Sequence, residues 1–184
     1  KDRNAPIEAV DNWPRMVQFA WQLHDDMGRL IEARNYIVRP EGYDIPYNAE
    51  KIHGISTSRA MKEGVELSFV LGEFSRALEQ TRFAVGHNIY FDIPVVRCEY
   101  YRKGMSDTLE SKGVLDTCTE DTAELCKIGG GAGRRFKLPK LIELHQYLFG
   151  EGFDAAHNAS ADVEATARCF LELVRLGHFS TVAL

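Results

Sequence analysis

The chain is poor in cysteine, has no long apolar run and carries no surplus of positive charge. Its four cysteines, at 98, 118, 126 and 169, form no C-x-x-C pair. That pattern argues against a zinc site or redox motif and for reduced thiols in a cytosolic, that is cytoplasmic, protein. No apolar stretch approaches the roughly 18–20 residues of a membrane span. The opening Lys1-Asp2-Arg3-Asn4-Ala5-Pro6 lacks the apolar segment of a signal peptide, so no membrane partner is expected. A formal net charge of −5 disfavours a protein that coats long duplex DNA by charge alone. It is compatible with gripping a short strand end, because carboxylates that hold metal ions add negative charge. The glycine-rich stretch at 129–133 is not a P-loop, since no Gly-Lys-Ser/Thr follows. With Arg134, Arg135 and Lys137 it reads either as a solvated connection or as a contact to the phosphates of a single strand.

At 184 residues, 45% hydrophobic and 27% charged, the chain has the size and composition of one globular domain with a complete core. No internal repeat is visible. Residues 15–24 alternate, with Val17, Phe19, Trp21 and Leu23 on one face, which predicts a strand. Asp25-Asp26-Met27-Gly28 is a solvated turn, and Leu30 to Val38 a returning strand. Leu67, Val70, Leu71, Phe74 and Leu78 recur at helical spacing. Short strands are predicted at 83–86 and 114–117, a helix over about 90–104, another ending near 127, and two more over about 138–149 and 159–176. A hairpin followed by strands alternating with helices implies an α/β fold with a mixed sheet.

Two segments carry chemistry-bearing residues. In Gly86-His87-Asn88-Ile89-Tyr90-Phe91-Asp92 a strand turns into a helix, and Asp92 falls in the first helical turn, where unpaired N–H groups and the macrodipole favour an anion. Asn88 as a cap and Asp92 as a dipole partner would account for it structurally. In His157-Asn158-Ala159-Ser160-Ala161-Asp162, a histidine and a carboxylate stand five residues apart at a helix entrance. A capped helix with a surface acid would also explain that pattern. The small residues Ala155, Ala156, Ala159, Ser160 and Ala161 leave room for something to approach the helix closely.

Together these segments resemble the DnaQ-like, or DEDDh, 3′–5′ exonuclease family, which includes the proofreading epsilon subunit of bacterial DNA polymerase III. Ile52-His53-Gly54-Ile55-Ser56, Asp116-Thr117, and Leu138-Pro139-Lys140-Leu141 with Leu144 extend the resemblance over nearly the whole chain. It implies an RNase H-like α/β fold with a mixed central sheet flanked by helices, and residues 1–184 as a single 3′–5′ exonuclease domain. The implied activity is hydrolysis at the 3′ end of single-stranded DNA, releasing nucleoside 5′-monophosphates, with two divalent metal ions, Mg²⁺ or Mn²⁺. Asp92 and Asp162 would hold metal, and His157 would be the general base, its unperturbed pKa of about 6.5 suiting the task. Asn88, His53, Ile55 and Phe91 would lie at the terminal nucleotide. His87 reads as structural. The implied partners are a single-stranded DNA 3′ end, with RNA as the alternative, and a DNA polymerase subunit.

The family's first motif, Asp-x-Glu-x-Thr-Gly on a central strand, is absent. Asp162-Val163-Glu164-Ala165-Thr166 fits part of the pattern but belongs to a helix and lacks the glycine. The expectation is therefore an N-terminally truncated domain whose central first strand lies upstream. Some strand should fill that gap, because each buried unpaired backbone group costs about 1–3 kcal/mol. Two carboxylates are too few for a tight two-metal site, so weak metal binding and little activity are expected of residues 1–184. An exoribonuclease of the same superfamily and a non-catalytic nucleic-acid-binding or polymerase-accessory module are the alternatives. A zinc hydrolase lacks suitable histidine and cysteine spacing.

Overall fold

The structure is a computed structural model that describes residues 2–130, 133, 135–153 and 159–179. It is a mixed α/β protein. Strands β1 (Gln18–His24) and β2 (Leu30–Ile37) form an antiparallel hairpin, with Trp21 opposite Arg34 and Phe19 opposite Tyr36. Helices α1 (Tyr47–His53), α2 (Thr57–Glu63) and α3 (Leu67–Glu79) follow. Next come β3 (Phe83–Gly86), α4 (Asp92–Lys103), β4 (Gly113–Asp116), α5 (Glu120–Cys126), α6 (Leu141–Phe149) and α7 (Ala159–Arg175). β3 pairs with β4. The flanking bonds, Gly113 N–H to the Arg82 carbonyl and Thr117 N–H to the Gly86 carbonyl, advance in the same direction on both strands, so this pair is parallel. The strands thus lie in two two-stranded ribbons. The strand expected to fill the gap in a single sheet is not among the described residues.

Several sequence expectations shift at their edges. The helix expected from 138 starts at Leu141, because Pro139 biases Leu138 toward extended backbone. The Glu143 carboxylate then accepts the Lys140 N–H at 2.7 Å. α1 and α2 escaped the periodicity reading. Each has seven residues, and Gly54, at φ 70, stops the first in a left-handed conformation that favours glycine. No helix among the described residues is long and apolar enough to cross a membrane.

Contacts group the chain into two compact units, Lys1–Ala84 with Tyr90–Gly113, and Val85–Ile89 with Val114–Leu184. The first is built on the hairpin and α3. Phe19, Trp21 and Phe74 form an aromatic cluster with centroids 4.7–5.3 Å apart, as the alternation of β1 requires. Val70, Leu71 and Leu67 of α3 are fully or almost fully buried. Tyr100 of α4 is fully buried, and its hydroxyl donates to the Leu71 carbonyl at 3.1 Å. The second unit packs Cys169 and Leu173 of α7 against Leu144 of α6.

A buried carboxylate organises the first unit. Glu99 on α4 is 0% exposed. Its Oε1 accepts from Met16 N–H at 2.8 Å and Arg15 Nε at 3.0 Å, and pairs with Arg102 Nη1 at 3.1 Å. Arg102 also donates to the carbonyls of Val10, Trp13 and Pro14. Residues 10–16 are thereby tied to α4, and β1 begins two residues later. Removing one member of such a buried pair strands the others, at about 3–5 kcal/mol. Glu99→Ala is expected to lower the unfolding free energy by about that amount, read from urea midpoints. Glu99→Gln should lose less, because its side-chain carbonyl still accepts the Met16 N–H.

Candidate functional site

The turn after β3 is built by close packing and one carboxylate. A Cβ on Gly86 would lie 2.6 Å from the Ile89 Cβ, so only glycine lets the chain turn this tightly. Asn88 has φ 58, the left-handed region that asparagine tolerates better than most residues. Its N–H donates to Asp116 Oδ1 at 2.7 Å, and the same oxygen accepts Cys118 N–H at 2.8 Å. Asp116, 9% exposed at the end of β4, therefore locks the turn to the neighbouring strand. The expectation that Asn88 caps α4 is corrected. Phe91 occupies the cap position without a side-chain cap bond, because Asn88 is held by Asp116 and a 3₁₀ turn, Ile89–Phe91, intervenes.

His87 closes the second side of this turn. One ring nitrogen lies 3.0 Å from the Pro139 carbonyl, which can only accept, so Nε2 carries the proton. Nδ1 lies 2.9 Å from Thr117 Oγ1. Thr117 is fully buried, and its N–H donates to the Gly86 carbonyl at 2.9 Å. Burial pushes the imidazole pKa below its ordinary value, against the opposing pull of the Pro139 carbonyl and the Asp116 charge. Both ring nitrogens of His87 are thus engaged within the protein.

The remaining site residues divide between the units. Asp92 stands exposed in the first turn of α4, and Phe91 is 48% exposed beside it. His53 ends α1, and its Nδ1 accepts the Ile55 N–H at 3.1 Å. His53 Nε2 is buried without a hydrogen-bond partner, and burial lowers this imidazole's pKa while Glu50 raises it. Ile55 is 2% exposed and packs with Ile45 and Ala60, and its N–H is already taken by His53. These four belong to the first unit. Asn88 and Asp162 belong to the second, where Asp162 stands exposed in the first turn of α7. Ala165, Cys169 and Leu173 bury the helix's other face. His157 lies outside the described residues.

Among the described residues no group of three or more His, Cys, Asp or Glu side chains forms a metal site. Asp92 and Asp162 alone do not fit a two-metal cage, which demands more oxygen ligands than two carboxylates supply. All four cysteines are free, and burial pushes the Cys169 thiol up to about 12, so it is inert. Sequence reasoning missed the anchoring role of Asp116. Its signal was an Asp at a strand end, where a side-chain oxygen can take nearby backbone N–H groups.

The His87 environment makes a pH prediction. With its folded pKa below the unfolded value of about 6.5, the unfolded chain binds more protons as pH falls through that value. The stability contribution is complete above the unfolded pKa and is lost on acidification below it. His53 contributes with the same sign. Urea midpoints measured between pH 8 and pH 5.5 should fall with pH, and His87→Gln should fall less steeply while being less stable at pH 8.

The exonuclease family model RNase_T matches residues 20–170. The 3′-5′ exonuclease DinG of Bacillus subtilis (strain 168) is 28% identical over 172 residues, covering 91% of this chain and 17% of that protein. E. coli Exonuclease I in complex with a dT13 oligonucleotide superposes with a TM-score of 0.70 at 22% identity, over 89% of this chain and 38% of the other. The apo form of Exonuclease I gives 0.67 at 21% identity, over 88% and 38%. The chain thus spans well under half the length of these relatives. A match over residues 20–170 covers most of the sequence, including the Gly86–Asp92 turn and the start of α7, and the chain belongs to the DnaQ-like exonuclease family.

Proposed function

We propose that this chain is the exonuclease domain of a 3′–5′ exonuclease that hydrolyses phosphodiester bonds at the 3′ end of single-stranded DNA and releases nucleoside 5′-monophosphates. The observation that carries the reading is the family match over residues 20–170, which runs through both compact units and takes in Asn88, Asp92, His157 and Asp162. The oligonucleotide complexes of Exonuclease I, a protein of like fold, support single-stranded DNA as the substrate class.

In this reading His157 takes the proton of the attacking water. An imidazole titrating near neutrality can do so and later release it. Asp92 and Asp162, each exposed in the first turn of its helix, would be two of the several oxygen ligands that Mg²⁺ or Mn²⁺ requires. Such ions supply stabilisation of the charge on the phosphate being cleaved. Asn88, Phe91, His53 and Ile55 are assigned to the terminal nucleotide in this reading. The N–H donors of Asn88 and Ile55 are already used by Asp116 and His53, which holds them rigid.

Hydrolysis is tested with the full-length protein on 5′-labelled single-stranded DNA and RNA, with Mg²⁺ or Mn²⁺. Mononucleotide release from DNA is expected, reduced about 10²–10⁴-fold in His157→Ala, with large losses also in Asp162→Ala and Asp92→Asn. Full activity in any of the three would remove the role assigned to that residue. Preferential release from RNA would make the protein an exoribonuclease.

The lack of a metal-holding cluster among the described residues favours one further outcome. Residues 1–184 alone are expected to bind Mn²⁺ weakly in titration calorimetry and to hydrolyse DNA poorly. Robust Mn²⁺-dependent hydrolysis by this polypeptide would contradict that. Binding of single strands without hydrolysis, even by the full-length protein, would instead identify a nucleic-acid-binding module.

A further inference from the structure

We propose that the outer edge of β2 is a dimerisation surface, where a second copy of this chain adds its own β2 antiparallel about a two-fold axis at Ala33. The edge is open. Val38 N–H donates to the Val17 carbonyl at 2.8 Å, and the register pairs Phe19 with Tyr36 and Trp21 with Arg34. In an antiparallel pair, residues that exchange main-chain bonds alternate with residues that do not. The main-chain groups of Glu32, Arg34 and Tyr36 therefore point to β1, and those of Ile31, Ala33 and Asn35 point away from it. Among the described residues β2 pairs along its length with β1 alone. A bridge from Val38 to Val65 lies just past its end.

Nothing in β2 blunts this edge. The strand is eight residues long and holds neither proline nor lysine, the residues that commonly discourage edge pairing. Ala33 and Asn35 are exposed, and Leu30 and Ile31 are 54% and 59% exposed. On the face that packs against α3, Phe69 is also half exposed, with its ring centroid 6.0 Å from that of Tyr36. An open edge bordered by exposed apolar side chains is a template for an added strand.

The order of charges identifies that strand. Glu32 and Arg34 flank Ala33 and share the face that carries Tyr36. A two-fold axis at Ala33 sets Glu32 of each copy opposite Arg34 of the other, and Leu30 opposite Tyr36 and its neighbour Phe69. The outward N–H and C=O groups of Ile31, Ala33 and Asn35 then all find partners. An axis at Glu32 or at Arg34 would instead oppose like charges. Arg34 now donates to the Ala33 carbonyl at 3.0 Å and pairs with Glu32 of its own strand at 2.9 Å. In the dimer it exchanges these for Glu32 of the second copy, while Glu32 keeps the Trp21 indole N–H at 3.3 Å. The inference is independent of the nuclease reading.

The test is the mass of the full-length protein by sedimentation velocity. The wild type is expected at twice the mass of one chain. Glu32→Arg leaves two positive side chains at the edge and Arg34→Glu two negative ones, so each alone should weaken dimerisation roughly tenfold. Mixed, the two variants should associate as a heterodimer, which an ion pair confined to one strand would not produce. Ala33→Pro removes an outward N–H that β1 does not use, so it should give monomers with unchanged circular dichroism.

Ala33→Cys keeps the proposal testable if those variants misfold. Opposed residues that exchange main-chain bonds stand about 5.5 Å apart at Cα, within the roughly 4.4–6.8 Å span of a disulfide. Oxidation should therefore cross-link this variant into dimers on a non-reducing gel and leave the wild type unlinked. A one-chain mass for the wild type up to about 100 μM, no heterodimer on mixing, no cross-link in Ala33→Cys, or a dimer that Ala33→Pro leaves intact would each overturn the proposal.

Discussion

A carboxylate with no access to water holds the first unit together. Burying the Glu99 charge would cost several kcal/mol after relaxation if it stood alone. It is offset by Arg15, Arg102 and the Met16 N–H converging on one oxygen. The other oxygen, Oε2, has no hydrogen-bond partner, so the balance depends on the geometry of the first. Arg102 adds three backbone carbonyls before β1. The segment leading into β1 thus receives its position from a helix more than 80 residues away, and the β1–β2 hairpin and its aromatic contacts with α3 follow from that position.

The same chemistry recurs on a smaller scale in the second unit. Asp116 spends one oxygen on two backbone N–H groups, of Asn88 and Cys118. Those bonds stabilise a left-handed Asn88 that would otherwise carry a steric cost. Helix α4 then presents two acids of opposite fate. Asp92, in its first turn, is exposed. Glu99, seven residues on, is sealed inside and suited only to internal partners. Residue type alone does not distinguish these roles. What separates them is burial: Glu99 is 0% exposed, with Arg15, Arg102 and the Met16 N–H converging on one of its oxygens.

Much of the fold was readable in the chain. Alternation at Phe19, Trp21 and Leu23 marked β1, the spacing of Leu67, Val70, Leu71, Phe74 and Leu78 marked α3, and β3 ends at Gly86 as its glycine indicated. The order of the motifs around Asp92 and Asp162 pointed to the exonuclease family that the match over residues 20–170 shows. Less readable were the short helices α1 and α2, whose seven residues give periodicity too little length to register. The roles of Glu99 and Asp116 were also hidden, since each depends on partners far away in sequence: Arg15 and Met16 for the first, Asn88 for the second.

The sequence by itself determined the types of the longer elements, which follow from local periodicity and from glycine and proline placement, and its motifs carried the resemblance that pointed to the family. Only the tertiary structure decided that Ile55 is core, that Asn88 is held by Asp116 instead of capping α4, and that Glu99 anchors the approach to β1. Those outcomes turn on burial and on hydrogen bonds between residues distant in the chain, and no local pattern encodes the meeting of two such groups.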